Sequence, residues 1–591
     1  MKKNASIGVR HSLLVALKNH LKSLLASLAL TALPGLAGEP ATTFCNPLDL
    51  DYRIQPGQPC RREAADPVAL VYKGDYFIFA SKSGGYWWSA DFTGWRLVTP
   101  PNLPLNAYAP AVFEYEGVLY FMASGAGKLY RSTDPKWADS WTEAGTVRRD
   151  IDPAVFKDDD GRVWLYYGCK QGGPIWVVEL DPKNQFKEIG QPVQCLKANE
   201  KLYGWEVQGD ANPGAIFKGG THTVPWVEGA WMTRHGGKYY LQYAAPGTQW
   251  ATYGDGIYVA SSPTGPFTYA EYSPFSFKPT GFMAGAGHSC TFQDKDGHHW
   301  HIATGVISVR HVFERRLAVS PVHFDAHGRM IADTRFGDLP QYLPGKNPYP
   351  EQGNQTGWML LSFGKAVTAS SALKDYPAAQ AVDENIKTWW SAEGTKLGEW
   401  LQIDLGNVKT VNALQVNFAE QDVATRGRTP GFAQKYRIEQ SVDGQGWTML
   451  IDKSASTQDA PHAYVELSKA VTTRHLRVTD LGTPGSGRFA IHDFRIFGKG
   501  NGQTPALCPK FTVVRDPQDR RHATIEWEPV KDAEGYVVRY GIASDAINTQ
   551  YEVRGTTKLE IRSLNADTEY HFAIDPFNEN GVAVSRIYIK K

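Results

Sequence analysis

Neither sign of charge is in excess in this sequence. Lysine and arginine number 62 and aspartate and glutamate 61, a formal net charge of +1 over 591 residues. That balance excludes a dominant nucleic-acid or polyanionic partner, which needs a basic surplus or stripe. Cysteine is scarce: six residues, at 45, 60, 169, 195, 290 and 508, in a spacing that matches no zinc motif. Beyond residue 36 no apolar run approaches the ~20 residues that cross a bilayer, so no membrane span is predicted. A glycine-rich phosphate loop, a nucleophile elbow and a haem motif are also missing. Aromatic residues, by contrast, make up 12% and apolar residues 42%, which rules out a disordered chain and supplies a sizeable core. Fifty-seven glycines and 36 prolines interrupt the chain often and favour short strands over long helices.

The first 37 residues read as an export signal. Lys2, Lys3, Arg10, Lys18 and Lys22 precede an apolar run from Leu24 to Leu36, and Gly35 and Ala37 supply small residues for cleavage. The mature protein is therefore expected in the periplasm or outside the cell. Export permits disulfides, and Cys45–Cys60 and Cys169–Cys195 are the local pairs to test first, with connectivity left open.

Five segments then repeat one pattern. They are DPVALVYKGDYFIFAS from Asp66, APAVFEYEGVLYFMAS from Ala109, DPAVFKDDDGRVWLYYG from Asp152, EGAWMTRHGGKYYLQYA from Glu228 and HSCTFQDKDGHHWHIAT from His288. Each is an alternating strand, a polar turn carrying Gly74, Gly117, Gly161, Gly237 or Gly297, and a second aromatic-rich strand. The intervals leave room for a blade of up to four strands, and five such sheets arranged radially predict a five-bladed β-propeller over residues 38–345. The first residues of the repeats should ring the central channel. Four of the five, Asp66, Asp152, Glu228 and His288, are ionisable, and such a ring is costly without solvent, partners or metal. Two carboxyl groups across a cleft suit glycoside hydrolysis, one as acid on the leaving oxygen and one as base on water, and a third raises the acid's pKa by repulsion.

On the stretches AADPVALVYKGDYF, DIDPAVFKDDDGRVWLYYG and VEGAWMTRHGGKYYLQY, about half of the chain resembles glycoside hydrolase family 43. The resemblance implies Asp66 as general base, Asp152 as pKa modulator, Glu228 as general acid, and inversion at the anomeric carbon. It also implies that His288, in AGAGHSC, contacts a channel metal, commonly calcium; a hydrogen-bonded channel histidine is the competing reading, because a hard cation prefers oxygen ligands. Trp87 and Trp88 are candidates for a sugar-stacking platform, against a place in the blade core. Glu206, in YGWEVQGDANPG, resembles a sugar-gripping segment of furanosidase-like members, against an exposed loop carboxylate. Arg310 falls where family members place a sugar-contacting arginine, with Arg315 and Arg316 competing for the role. These departures from xylan-type members favour a five-membered ring, arabinofuranose or galactofuranose, over xylopyranose.

Residues 346–364, rich in Pro and Gly, read as a linker. Residues 365–500, with AVDENIKTWWSAE, WLQIDLG and SVDGQGW in order, look like a discoidin-like (coagulation factor 5/8 type C) β-sandwich, a candidate carbohydrate-binding module. Residues 505–591 resemble a fibronectin type III module, with Trp527 in its core and Tyr570 as a tyrosine corner. The expected protein is all-β, a propeller followed by two sandwiches. Its expected activity is that of an exported, monomeric, inverting exo-glycosidase acting on terminal furanosides of polysaccharides or oligosaccharides. The competing readings are a β-xylosidase and a non-catalytic glycan-binding or adhesion protein.

Overall fold

The computed structural model describes residues 41–591 apart from positions 58, 148–150, 218–219, 349, 351–352 and 430. The predicted signal segment, 1–37, lies outside the described residues. Five sheets follow one another along the chain. Their innermost strands are Ala65–Tyr72, Pro110–Tyr115, Ala154–Lys157, Trp226–His235 and Ala284–Gln293. Consecutive inner strands pack side by side, and the fifth returns to the first, which closes the ring of a five-bladed propeller. Each inner strand turns back on its neighbour in antiparallel register, as Tyr72 opposite Asp75 and His235 opposite Lys238 show. The turns between them put Gly74 and Gly237 at positive φ, +82° and +76°, where a side chain would be strained.

The alternating pattern gives each sheet two apolar faces, and these interleave between blades. Phe77, Phe79 and Tyr86 of blade 1 pack with Leu119, Phe121 and Trp141 of blade 2. Ala69, Ile78 and Trp87 pack with Cys290, Ile302 and Val319 of blade 5. The segment after Thr42 runs along blade 5: Thr43–Phe44 pairs with Gln341–Tyr342, and Asn46 is hydrogen-bonded to the backbone of Val319. All six cysteines are free thiols, so neither predicted local pair forms. Cys290 instead packs inside the seam between blades 1 and 5, and Cys45 is buried beside Arg495.

The first sandwich begins inside the stretch read as linker, since Met359–Leu360 pairs with Phe497–Gly498. Its core holds Trp390, Leu401, Ile403, Leu476 and Phe494. The C-terminal sandwich has two sheets, one of Phe511–Arg515, Ala523–Trp527 and Lys558–Ile561, the other built around Gly535–Gly541 and His571–Asn578. Trp527 lies in its core, and the Tyr570 hydroxyl accepts a hydrogen bond from the Asn565 amide at 3.0 Å. Among the described residues no helix is long and apolar enough to cross a membrane.

Candidate active site

The inner strands of blades 1, 4 and 5 each open with a bulge. In blade 1, Ala65 lies opposite Ser81 but Val68 opposite Phe79, so one residue is extra. Blade 5 repeats this between Gly287 and Cys290, and blade 4 between Glu228 and Trp231. A left-handed backbone marks the first residue of four repeats: φ is +51° at Asp66 and +44° at His288, inside their bulges, and +39° at Ala109 and +53° at Asp152, just ahead of their strands. Bulges of this kind re-aim side chains, and aspartate tolerates the left-handed region better than most residues. In blade 4 that conformation belongs to Gly229, φ +63°, and not to Glu228. The alignment of repeat starts is therefore off by one there. A Cβ at position 229 would sit 2.8 Å from the His288 ring, so the histidine packs onto bare backbone at this point.

The starts of these strands open on a cavity of about 870 Å³ lined by Asp66, Asp152, Glu228, His288, Arg315 and Cys169, with Tyr108, Trp226 and Phe313 among its aromatic walls. Asp66 accepts hydrogen bonds from the Ser81 hydroxyl at 2.5 Å and from Arg315 at 3.2 Å. Asp152 accepts from the Ser124 hydroxyl at 3.2 Å. Glu228 accepts from the Tyr253 hydroxyl at 2.5 Å on one oxygen and from the Cys169 thiol at 3.2 Å on the other. His288 Nδ1 lies 3.3 Å from Asp66 and 3.8 Å from Asp152, bridging two of the three carboxyls.

Stitches between blades hold this geometry. Ser81 accepts the amide of Ala109, Ser124 that of Asp152, and Thr304 that of Asp66. Each of these hydroxyls lies at or near the end of the second strand of one repeat and fixes the first residue of the next. The signal was in the sequence, as the terminal Ser or Thr of FIFAS, YFMAS and HIAT, but it carries meaning only once the blades are adjacent.

The charges are arranged unequally. Burial alone would raise the Asp66 carboxyl, but Arg315, His288 and Ser81 outweigh it and hold Asp66 below its usual value, ionised. Burial pushes Asp152 up to about 7, helped by repulsion from Glu228 and Asp66 and opposed by His288. Burial would lower His288, but the surrounding carboxylates Asp66, Asp152 and Glu228 raise it on balance. The cluster thus holds an ionised Asp66 beside a carboxyl that keeps its proton near neutrality, the separation that acid–base work requires. Replacing Arg315 with Ala should let Asp66 rise, so the acid limb of a kcat/KM–pH profile should move upward by about one unit. A limb that stays in place would show that Arg315 does not set the charge on Asp66.

Residues 59–330 match the model of Glycosyl hydrolases family 43, and residues 366–493 match that of the F5/8 type C domain. The propeller is a family 43 glycosyl hydrolase domain. The first sandwich is an F5/8 type C domain. Among curated proteins, the chain is 28% identical over 242 residues to a beta-D-galactofuranosidase, xynD, of Aspergillus niger, covering 34% of this chain and 63% of that protein. It is 30% identical over 171 residues to a xylosidase/arabinosidase of Butyrivibrio fibrisolvens, covering 25% of this chain and 28% of that protein. The matched region thus falls short of two thirds of either relative. A solved endo-1,4-beta-xylanase structure from Bacteroides thetaiotaomicron superposes with a TM-score of 0.38 at 22% identity, over 48% of this chain and 95% of its own.

Several residues singled out from the sequence lie away from this cavity. Trp87 and Trp88 are on the third strand of blade 1, two strands out from the axis. Trp87 is buried and donates to Asp51 at 2.5 Å, and Trp88 lies under the Arg96 guanidinium, 4.7 Å from its ring centre. Both are blade packing, and Tyr108, Trp226 and Phe313 take the aromatic role at the cavity. Arg310 points to the F5/8 type C domain, 4.4 Å over the Trp389 ring and 3.2 Å from Glu314. Arg315 occupies the cavity in its place, also bonded to Glu63 at 3.0 Å and Thr248 at 3.1 Å. Glu206 is fully buried behind the wall; it accepts from the Asn199 amide at 2.6 Å and from the Tyr243 hydroxyl, and burial pushes it up to about 8. A carboxyl so placed cannot grip a sugar.

The oxygens around His288 do not form a calcium cage. Asp66 is taken by Ser81 and Arg315, and Asp255 by the His288 amide at 2.9 Å and the Ser289 hydroxyl. What remains beside the imidazole is Asp152 Oδ2, 3.8 Å away, with Cys169 and Glu228 next to it, a set still poor for a hard cation that takes six to eight oxygens. The surroundings fit a histidine clamped between carboxylates, and no step below runs through a metal.

Proposed function

We propose that the chain is an inverting exo-glycosidase that releases terminal furanosyl residues from oligosaccharides or polysaccharides. The observation that carries this reading is the convergence of Asp66, Asp152 and Glu228, from three blades, on one cavity. Asp66, kept ionised by Arg315 and His288, takes the proton of an attacking water. Glu228, with donors on both oxygens in the free enzyme, takes up a proton from solvent as substrate displaces one of those contacts and gives that proton to the leaving oxygen. Asp152, joined to His288 and close to Glu228, holds a proton near neutrality and orients the pair. A cavity of about 870 Å³ is within the ordinary range for a small ligand and suits end-on binding better than a long open groove. Tyr108, Phe313 and Trp226 offer apolar faces to the C–H side of a sugar ring. The galactofuranosidase name of the Aspergillus relative favours a furanoside. The xylosidase/arabinosidase name of the Butyrivibrio relative keeps β-xyloside as the second reading. The charged and then apolar segment at residues 2–36 supports export as part of the same proposal.

The test is a screen of nitrophenyl α-L-arabinofuranoside, β-D-galactofuranoside and β-D-xyloside, with Asp66→Asn as blank. Release from a furanoside, absent in the blank, is the expected result. Release from the xyloside alone would replace the furanoside reading, and silence on all three and on branched arabinan would overturn the glycosidase reading.

A further inference from the structure

One wall of the cavity is built by a loop that the C-terminal sandwich holds. Residues 199–214 leave blade 3 and pass between blade 4 and that sandwich before reaching the cavity at Gln208. The hold is backbone to backbone. The Gly204 amide donates to the Leu564 carbonyl at 2.9 Å, and the Ala566 amide donates to the Leu202 carbonyl at 2.7 Å. The approach is so close that a Cβ at position 204 would lie 2.1 Å from the Arg562 carbonyl oxygen and 2.8 Å from that of Leu564. Glycine is required here for space. Side chains complete the dock: Tyr203 stacks on Tyr269 at 3.6 Å, and Asn565 donates to the carbonyls of Glu271 at 3.0 Å and Ser273 at 3.2 Å. Trp205 is fully buried in the core that blade 4 shares with the sandwich.

Four residues after Gly204 the same loop delivers Gln208. Its Nε2 donates to the Val224 carbonyl at 2.5 Å, which fixes the amide plane. Its Oε1 is buried, with 6% of the residue exposed, and has no hydrogen-bond partner. A buried acceptor without a donor is costly, and this one belongs to a residue of the cavity wall. Asn212 keeps the loop rigid between dock and wall by donating to the carbonyls of Trp205 at 3.1 Å and Val207 at 2.7 Å.

We propose that Gln208 accepts a hydrogen bond from a substrate hydroxyl, and that Gly204 and Asn565 are positioning residues through which the C-terminal sandwich sets its place. The module is then part of the substrate site and not an appended domain. The proposal rests on the glycosidase reading for its ligand, but the docking is measurable without it.

The experiment uses the full chain and three variants, Gln208→Ala, Gly204→Ala and Asn565→Ala. Steady-state kinetics are measured on the glycoside that the wild type cleaves, and hydrogen–deuterium exchange is followed over residues 199–214. Each variant should raise KM roughly fivefold to tenfold, the size of one lost hydrogen bond to a neutral group, with kcat within about twofold. Gly204→Ala and Asn565→Ala should also lose exchange protection in the loop, and either should be less than additive with Gln208→Ala. Asn565→Ala introduces no clash, so it decides the matter if Gly204→Ala fails to fold. An unchanged KM in folded Gln208→Ala overturns the substrate contact, and retained loop protection in Asn565→Ala overturns the docking. A wild type silent on every glycoside overturns the glycosidase reading, and loop protection alone then decides the docking.

Discussion

Replacing Glu228 with Gln should lower kcat about a thousandfold on a glycoside with a poor leaving group, the ordinary contribution of a positioned general acid. The side chain keeps its shape and can still meet Tyr253 and Cys169, now 2.5 and 3.2 Å from its two oxygens, so folding should be unaffected. What it loses is the proton for the departing oxygen. The loss should therefore shrink on nitrophenyl glycosides, whose leaving group needs little protonation. Asp66→Asn should behave differently, costing as much on both kinds of substrate, because water activation is needed whatever leaves. Kinetics on a matched pair of substrates separate the two roles. Equal losses for Glu228→Gln on both substrates, or a loss below tenfold, would remove it from the role of acid.

Removing Glu420 should be the most damaging change away from the active site. Arg62 emerges from blade 1 and is buried between propeller and F5/8 type C domain, with Glu420 at 2.5 Å and Asp459 at 2.6 Å. It also donates to the Tyr52 carbonyl at 2.6 Å. Without Glu420, Arg62 keeps Asp459 but Arg310, 3.8 Å from Glu420, loses its carboxylate there too, and breaking buried ion pairs of this kind costs about 3–5 kcal/mol. Glu420→Ala should lower the denaturation midpoint accordingly, and Arg62→Met with Glu420→Leu should recover part of it. The dependence on pH has a definite sign. Burial would raise Glu420, but Arg62, Arg316 and Arg310 outweigh it and bring it down to about 2. A folded-state value below the unfolded one contributes stability that is complete above the unfolded pKa and lost as pH falls from about 4.5 toward 2. Wild type should therefore lose more stability over that window than Glu420→Gln does. Parallel acid profiles for the two proteins would show that Glu420 is not the group being titrated.

The same contacts recast the F5/8 type C domain. Its tip meets the propeller through Glu420, Asp459, Trp389 and His462, the last accepting from Arg316 at 2.8 Å, directly beside the cavity residue Arg315. In this protein that tip is a strut behind the site. The C-terminal sandwich holds the loop of residues 199–214 through the backbone of Leu564 and Ala566.

The sequence by itself determined the blades and the carboxyl ring. A strand alternation of period two and a turn glycine are local signals, and five copies of them leave little choice but radial sheets. Asp66, Asp152 and His288 were legible because each starts a repeat with the same left-handed turn into its inner strand, which places equal positions at one level. Glu228 was found through the same pattern although its true register is one residue earlier; the longer spacing from Glu228 to Gly237, beside a turn of only two residues, already held the offset. Tertiary structure alone decided which loop and linker residues reach the cavity. Glu206 and Gln208 are two residues apart in one loop, yet one is sealed behind the wall and the other lines it. The sequence pointed to Arg310 ahead of Arg315 and Arg316, and partners far along the chain reversed that choice: Trp389 draws Arg310 away and Asp66 holds Arg315, 249 residues from it in sequence. A strand's faces follow from its own periodicity, whereas a loop side chain goes where distant surfaces leave it a partner or a space.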